Sequence, residues 1–222
     1  MEPGQVRQSR EQLGWTQQQT AQRLGVSQPY YSQLENGSRP IPRKLSGVLQ
    51  RVLNLSPSLV VLPPLSAAVP AVSPRELAEG LGSLGYPGFV HLKATKAIPL
   101  NPAQLVVCAL ANDDLDPRLV EGLPWLLSQY ADLDWTWLIG QCCVLNLQNR
   151  LGYLVVLAQG YGRTESAVPL TLARLALERS RLASEDTLCR SSMPEAERKW
   201  VRKWRPPHAT HWNLLTTMTV ED

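Results

Sequence analysis

Within the stretch TQQQTAQRLGVSQPYYSQLENG, residues 16–37, Gln17, Gln28, Tyr30, Ser32 and Gln33 fall on the outward side of two short helical segments. A face rich in Gln and Ser, with almost no charge, suits hydrogen bonding to base edges in a DNA major groove. Lys and Glu would serve solubility better. Gln28 and Gln33 are the expected principal base readers, because one glutamine amide offers adenine both a donor and an acceptor. Ser32 is a shorter-range contact, and Tyr30 can lean on a thymine methyl or a phosphate. Gln17, at a helix N-terminus, is placed to hold a phosphate. After Gly37 the loop Ser-Arg-Pro-Ile-Pro-Arg-Lys is basic. Asn36, Arg39, Arg43 and Lys44 can reach phosphates there, contacts that position a protein without reading sequence.

The elements that must present these side chains carry their own signals. Thr16 is an N-cap for a helix over Gln17 to Leu24, since its hydroxyl can accept from an unpaired N–H of the first turn. Gly25 supplies the positive φ of a tight corner. Ser27 caps a second helix over Gln28 to Glu35, and Asn36-Gly37 ends it. Pro29 is tolerable in the first helical turn, where its missing N–H has no partner to lose. Ala21 is small where the two helices cross, and Leu24, Val26 and Leu34 lie on the buried side. An earlier helix, Gln5 to Leu13, is anchored by Val6 and Leu13. A later one, Leu45 to Leu53, presents Leu45, Val48, Leu49, Val52 and Leu53.

On these residues, Gln5 to Leu55 resembles the helix-turn-helix domain of the Cro and phage-repressor family. Thr16-Gln17, Ala21, Gly25-Val26-Ser27-Gln28 and Ser32-Gln33-Leu34-Glu35-Asn36-Gly37 carry the resemblance. It implies a five-helix DNA-binding domain and an internal ion pair between Arg10 and Glu35. Tyr31 departs from the pattern, because the family places Ile or Val there in its small core.

Charge is distributed accordingly. Residues 1–55 hold seven Lys/Arg against three acids, a net of +4; the rest holds fifteen against sixteen, a net of −1. The positive charge lies where phosphate attraction requires it. The polar N-terminus predicts no signal peptide, and no apolar run approaches the roughly 20 residues of a membrane span. Cys108, Cys142, Cys143 and Cys189 form neither a zinc spacing nor a disulfide framework. They read as reduced, mostly buried thiols of a cytoplasmic protein.

No residue set calls for a cofactor or a catalytic role. Asp113, Asp114 and Asp116 read as loop and cap carboxylates rather than cation ligands. His208 and His211 lack a third nearby metal ligand. Gly80, Gly82 and Gly85 match a phosphate-loop spacing without the flanking strand and helix it needs. The segment PEAERKWVRKW, residues 194–204, admits two readings. Arg198, Lys199, Arg202, Lys203 and Arg205 with Trp200 and Trp204 could hold nucleic acid or an acidic partner. Alternatively it is a solvated helix whose tryptophans pack inward at i, i+4; Glu195 and Glu197 favour that second reading.

The expected architecture is mainly α: a helix-turn-helix domain over 1–55, a proline-rich linker over 56–74, and a larger, mostly helical domain over 75–222 for dimerisation and partner binding. The linker is too apolar for an ordinary solvated spacer and is expected to lie along a surface. Helices are expected over 75–84, 101–111, 117–130, from 134, over 146–159, 165–182 and 194–204, with a helix or strand over 208–220. The larger part resembles domains encoded beside abortive-infection nucleotidyltransferase toxins. Leu123-Pro124-Trp125-Leu126, Asp132-Leu133-Asp134-Trp135 and Asn146-Leu147-Gln148-Asn149-Arg150-Leu151-Gly152 carry that resemblance. It implies an antitoxin that represses its own operon and holds a toxin protein. The alternative is a repressor whose larger domain senses a metabolite. An enzyme fused to a DNA-binding domain lacks any catalytic motif. Near-palindromic double-stranded DNA, bound by a homodimer, is the expected target, because one such module reads too few base pairs to be selective.

Overall fold

The computed structural model describes residues 3–65, 68–92 and 101–219. Among these the protein is mainly helical, with twelve α-helices and two short strands. It divides into two compact units, one of residues 3–61 with 101, the other of 62–92 and 102–219.

The first unit contains α1 (Pro3–Gln12), α2 (Gln17–Leu24), α3 (Gln28–Glu35) and α4 (Arg43–Val52); its fifth helical segment is the single 3-10 turn Pro57–Leu59. Helix α3 packs on α1 and α2, and α2 on α4. Val6, Ala21, Leu24, Tyr31, Leu49, Leu53 and Leu55 form the core, with Trp15, Val26, Ile41, Leu45, Val48 and Val52 partly covered around it. Tyr31 is fully buried in place of the aliphatic residue expected there. Leu13 is not an anchor: it is 39% exposed. The reason is that α1 stops at Gln12 and the chain turns through Gly14 at φ 67°, so Leu13 leaves the helical face that Val6 defines.

The second unit contains α5 (Pro74–Ser83), α6 (Pro102–Leu110), α7 (Pro117–Gln129), α8 (Trp135–Val144), α9 (Gln148–Gly160), α10 (Thr164–Glu178), α11 (Glu195–Trp204) and α12 (Pro207–His211), with strands β1 (Asp186–Thr187) and β2 (Leu214–Leu215). Helix α9 is central, packed on α7, α8, α10 and α12, and ten of its thirteen residues are buried. Its buried polar residues bind distant backbone. Asn149 donates to the Leu182 carbonyl and accepts from the Leu182 N–H, both at 2.9 Å. Arg150 donates to the Leu110 carbonyl at 2.7 Å and to both oxygens of Asp186 at 2.6 and 2.9 Å. Buried polar groups without such partners would each cost about 1–3 kcal/mol.

Asp116 and Asp134 cap α7 and α8 by accepting from the Arg118 and Trp137 N–H groups. Asp114 accepts from both the N–H and the hydroxyl of Ser192. The stretch beyond His208 contains both kinds of element, α12 and then β2, which pairs in parallel with β1; Val220 lies outside the described residues. In the proline-rich stretch the Pro63 carbonyl accepts from Trp137 Nε1 at 2.6 Å. Val69 and Pro70 line a small crevice with Val107, Cys108 and Gln141 of α6 and α8. Among the described residues no helix is long and apolar enough to cross a membrane.

Helix α11 corrects the expectation that its tryptophans pack inward. Trp200 and Trp204 are 57% and 61% exposed, and Val201 is the helix's buried residue. The arginines hold the helix down instead. Arg202 and Arg205 both donate to Glu185, Arg198 donates to the Met193 and Ser191 carbonyls, and Glu197 accepts from Arg190. Arg198 and Arg205 are half-buried and Arg202 is exposed, so these bonds tie the helix to its unit along the surface while Trp200 and Trp204 stay in solvent.

Candidate nucleic-acid interface

The interface is built from two capped helices and their corner. Thr16 and Gln19 cap each other reciprocally: the Gln19 N–H donates to Thr16 Oγ1 at 3.2 Å, and the Thr16 N–H donates to Gln19 Oε1 at 2.9 Å. Such a capping box satisfies two of the orphan donors at a helix start. Gly25 has φ 68°, and its N–H closes the end of α2 on the Ala21 and Gln22 carbonyls. A side chain there would strain the corner. Ser27 caps α3 by accepting from the Tyr30 N–H, and Pro29 sits in the first turn. Ala21 is 2% exposed between the helices.

Of the expected base readers, Gln28 and Gln33 are exposed, and Tyr30 and Ser32 are half-buried. Of the expected phosphate contacts, Asn36 and Arg39 are exposed and Gln17 is half-buried. Arg43 and Lys44 open α4; their side chains lie outside what is described. Several of these residues are already joined. Gln28 Nε2 donates to Gln17 Oε1 at 2.9 Å, Asn36 Nδ2 donates to Ser32 Oγ at 3.3 Å, and the Arg39 guanidinium lies 5.3 Å from the Tyr30 ring centroid. A cation over a tyrosine face is favourable by about 0.5–1 kcal/mol at an exposed site, so the ring and the guanidinium are held together.

Behind this surface Arg10 donates to both oxygens of Glu35, at 2.9 and 2.6 Å, and to the Trp15 carbonyl at 2.8 Å. The Glu35 side chain is 1% exposed and that of Arg10 is 11% exposed. Burial raises the Glu35 pKa, but the hydrogen bond and charge of Arg10, with a further contribution from Gln17, outweigh it and hold the carboxylate below its ordinary value. Burial and the Glu35 charge push the neighbouring Tyr31 phenol up, so it stays neutral. In the second unit burial pushes the Cys108 and Cys189 thiols up to about 11, so both are protonated at neutral pH.

Sequence reasoning did not foresee the Gln17–Gln28 bond, although its signal was present: each glutamine is the first residue of its helix. It also passed over Arg23, whose guanidinium stacks 4.0 Å from the Trp15 ring centroid and donates to the Gln19 carbonyl.

Residues 6–60 match the helix-turn-helix family. This segment is a helix-turn-helix domain of the Cro and phage-repressor type, a family of DNA-binding regulators. No curated protein and no solved structure matches the chain.

Proposed function

We propose that the protein is a sequence-specific transcriptional repressor that binds a near-palindromic double-stranded operator as a homodimer in the cytoplasm. Gln28 and Gln33 are its principal base readers, with Ser32 and Tyr30 beside them. Gln17, Asn36, Arg39, Arg43 and Lys44 hold phosphates. The observation that carries this reading is the uncharged amide face of α3, exposed on a capped two-helix corner and flanked by a basic loop. The test is selection of duplexes from a random pool, followed by affinity measurements on the selected and scrambled sequences at several salt concentrations. A repressor of this kind prefers its site by about 10³-fold or more over non-specific DNA. Equal affinity for all duplexes refutes it.

A finer reading is an autoregulating antitoxin of a phage-defence operon, whose second unit holds a toxin protein. Its support is the sequence resemblance over roughly residues 75–220. The adjacent gene should be toxic when expressed alone, and its product should co-purify with this chain; a harmless, non-binding neighbour removes the reading. The alternative, a metabolite-responsive repressor, draws on an open groove of about 300 Å³ between the end of α9 and the start of α10, lined by Ala158, Gln159, Arg163, Thr164, Ala167 and Thr171. Thermal-shift screening of metabolites tests it.

A further inference from the structure

Helix α10 buries Ser166, Leu170, Ala173 and Leu177 against its own unit. Its opposite side carries Val168, Leu172 and Leu175, which are 67%, 62% and 52% exposed. A surface helix normally places charged and polar residues there. These three are spaced i, i+4, i+7, the spacing of an apolar seam that packs against another helix. The seam ends in opposite charges. Glu165 stands one turn before Val168 and Arg179 one turn after Leu175; both are exposed. Among the described residues neither forms an ion pair.

The occupant follows from that arrangement. Glu165 and Arg179 are equidistant from Leu172 in sequence and about 21 Å apart along the helix at 1.5 Å per residue. Turning a second α10 antiparallel about a two-fold axis at Leu172 brings each Glu165 opposite the other copy's Arg179. It also sets Leu172 against Leu172 and Val168 against Ala176. A two-fold interface must be complementary to itself, and this face is: apolar at its centre, acidic at one end and basic at the other. A shallow crossing of about 20° keeps two helices in contact over this length. We propose that α10 is the dimerisation helix of the protein, pairing antiparallel with α10 of a second copy about Leu172. The proposal rests on the reading of the protein as a dimeric DNA binder and names the surface that makes the dimer.

The test is sedimentation equilibrium of the full chain with four variants, each checked by circular dichroism for retained helix. The wild type sediments as a dimer at micromolar concentration. Leu172→Glu places two like charges on the axis and yields monomer. Glu165→Arg and Arg179→Glu each weaken the dimer about tenfold, because each reversal acts twice across the axis. The double reversal, Glu165→Arg with Arg179→Glu, restores it, which a merely misfolded variant would not do. A monomeric wild type overturns the proposal, as does a dimer indifferent to Leu172→Glu. Single losses without restoration in the double variant overturn the antiparallel register. Binding of each variant to a single DNA half-site is measured in parallel. Loss of dimer with half-site binding intact separates a failure of this interface from a failure of the DNA-binding reading.

Discussion

Replacing Arg10 with Met tests the electrostatic logic of the first unit most directly. Methionine keeps an apolar stem but removes the guanidinium that donates twice to Glu35 and once to the Trp15 carbonyl. Glu35 then remains as a carboxylate whose side chain is 1% exposed and has lost its counter-charge. Breaking a buried pair from one side costs about 3–5 kcal/mol. A unit of this size has only about 3–9 kcal/mol of stability, so the variant should be marginal near neutral pH. The pH dependence should also change sign. In the wild type the Glu35 pKa is held below the ordinary 4.5. Its contribution is therefore complete above that value and lost only as pH falls through the depressed one. Without Arg10, burial is opposed only by the smaller contributions of Gln17 and Tyr31, and the pKa rises. The destabilisation is then greatest at neutral pH and is relieved as pH falls toward the ordinary value. Hydrogen exchange read on peptides across α2 and α3, from about pH 7 to about pH 5, should show the variant gaining protection on acidification while the wild type stays level. Arg10→Met with Glu35→Met should recover most of the loss, because a buried pair can be exchanged for apolar residues at little net cost. A cost under about 1 kcal/mol, or an equal cost at both pH values, refutes the reasoning.

Three further outcomes are expected. Gln28→Ala should cost roughly 1–3 kcal/mol on the selected operator and relax preference at one base pair; unchanged affinity across a panel of single-base variants would remove Gln28 as a reader. Arg39→Ala should weaken binding to all duplexes about equally and reduce the salt slope by about 1, whereas a sequence-dependent loss would place Arg39 in a groove. Gly152→Ala should destabilise the second unit by about 1–3 kcal/mol. The added Cβ would stand 2.4 Å from two atoms of the fully buried Trp212 ring, and the urea midpoint reads the loss.

The two units differ in how much of them can be read from sequence, and the difference is one of range. The helix-turn-helix is specified by neighbours three or four residues apart: Thr16 with Gln19, Ser27 with Tyr30, Gly25 closing on Ala21. The second unit is tied by partners far apart in the chain. Arg150 reaches Leu110 and Asp186, Asn149 clasps Leu182, and β1 finds β2 across more than a helix. Its helices announce themselves through a capping residue followed by proline, as at Ser73-Pro74 and Asp116-Pro117, and through apolar periodicity, but the pairings that assemble them have no local signature. Helix α11 shows the limit most plainly. Its periodicity says that Trp200 and Trp204 share a side, yet the partners that hold the helix, Glu185 for Arg202 and Arg205 and the Met193 and Ser191 carbonyls for Arg198, lie outside it, and the tryptophans are left exposed.

The same distinction bears on how the proposed interface works. Read residue by residue, Gln17 and Gln28 belong to different tasks, one for phosphate and one for bases. The folded chain connects them: Gln28 donates to Gln17, Gln17 contributes to holding the Glu35 charge, and Glu35 is clamped by Arg10. A free glutamine side chain loses up to about 2 kcal/mol of rotamer entropy when a partner fixes it. A glutamine already held by a neighbour loses less on binding. The buried ion pair thus does more than join α1 to α3. It anchors one end of a short chain of side chains whose other end is Gln28, the proposed base reader. Loss of Arg10 should for that reason loosen Gln28 even under conditions where the domain stays folded. Operator affinity should fall in Arg10→Met at about pH 5, where stability has returned, while affinity for non-specific DNA, which the proposal assigns to the basic loop, stays the same. An equal fall on both kinds of DNA would show that the ion pair serves stability alone.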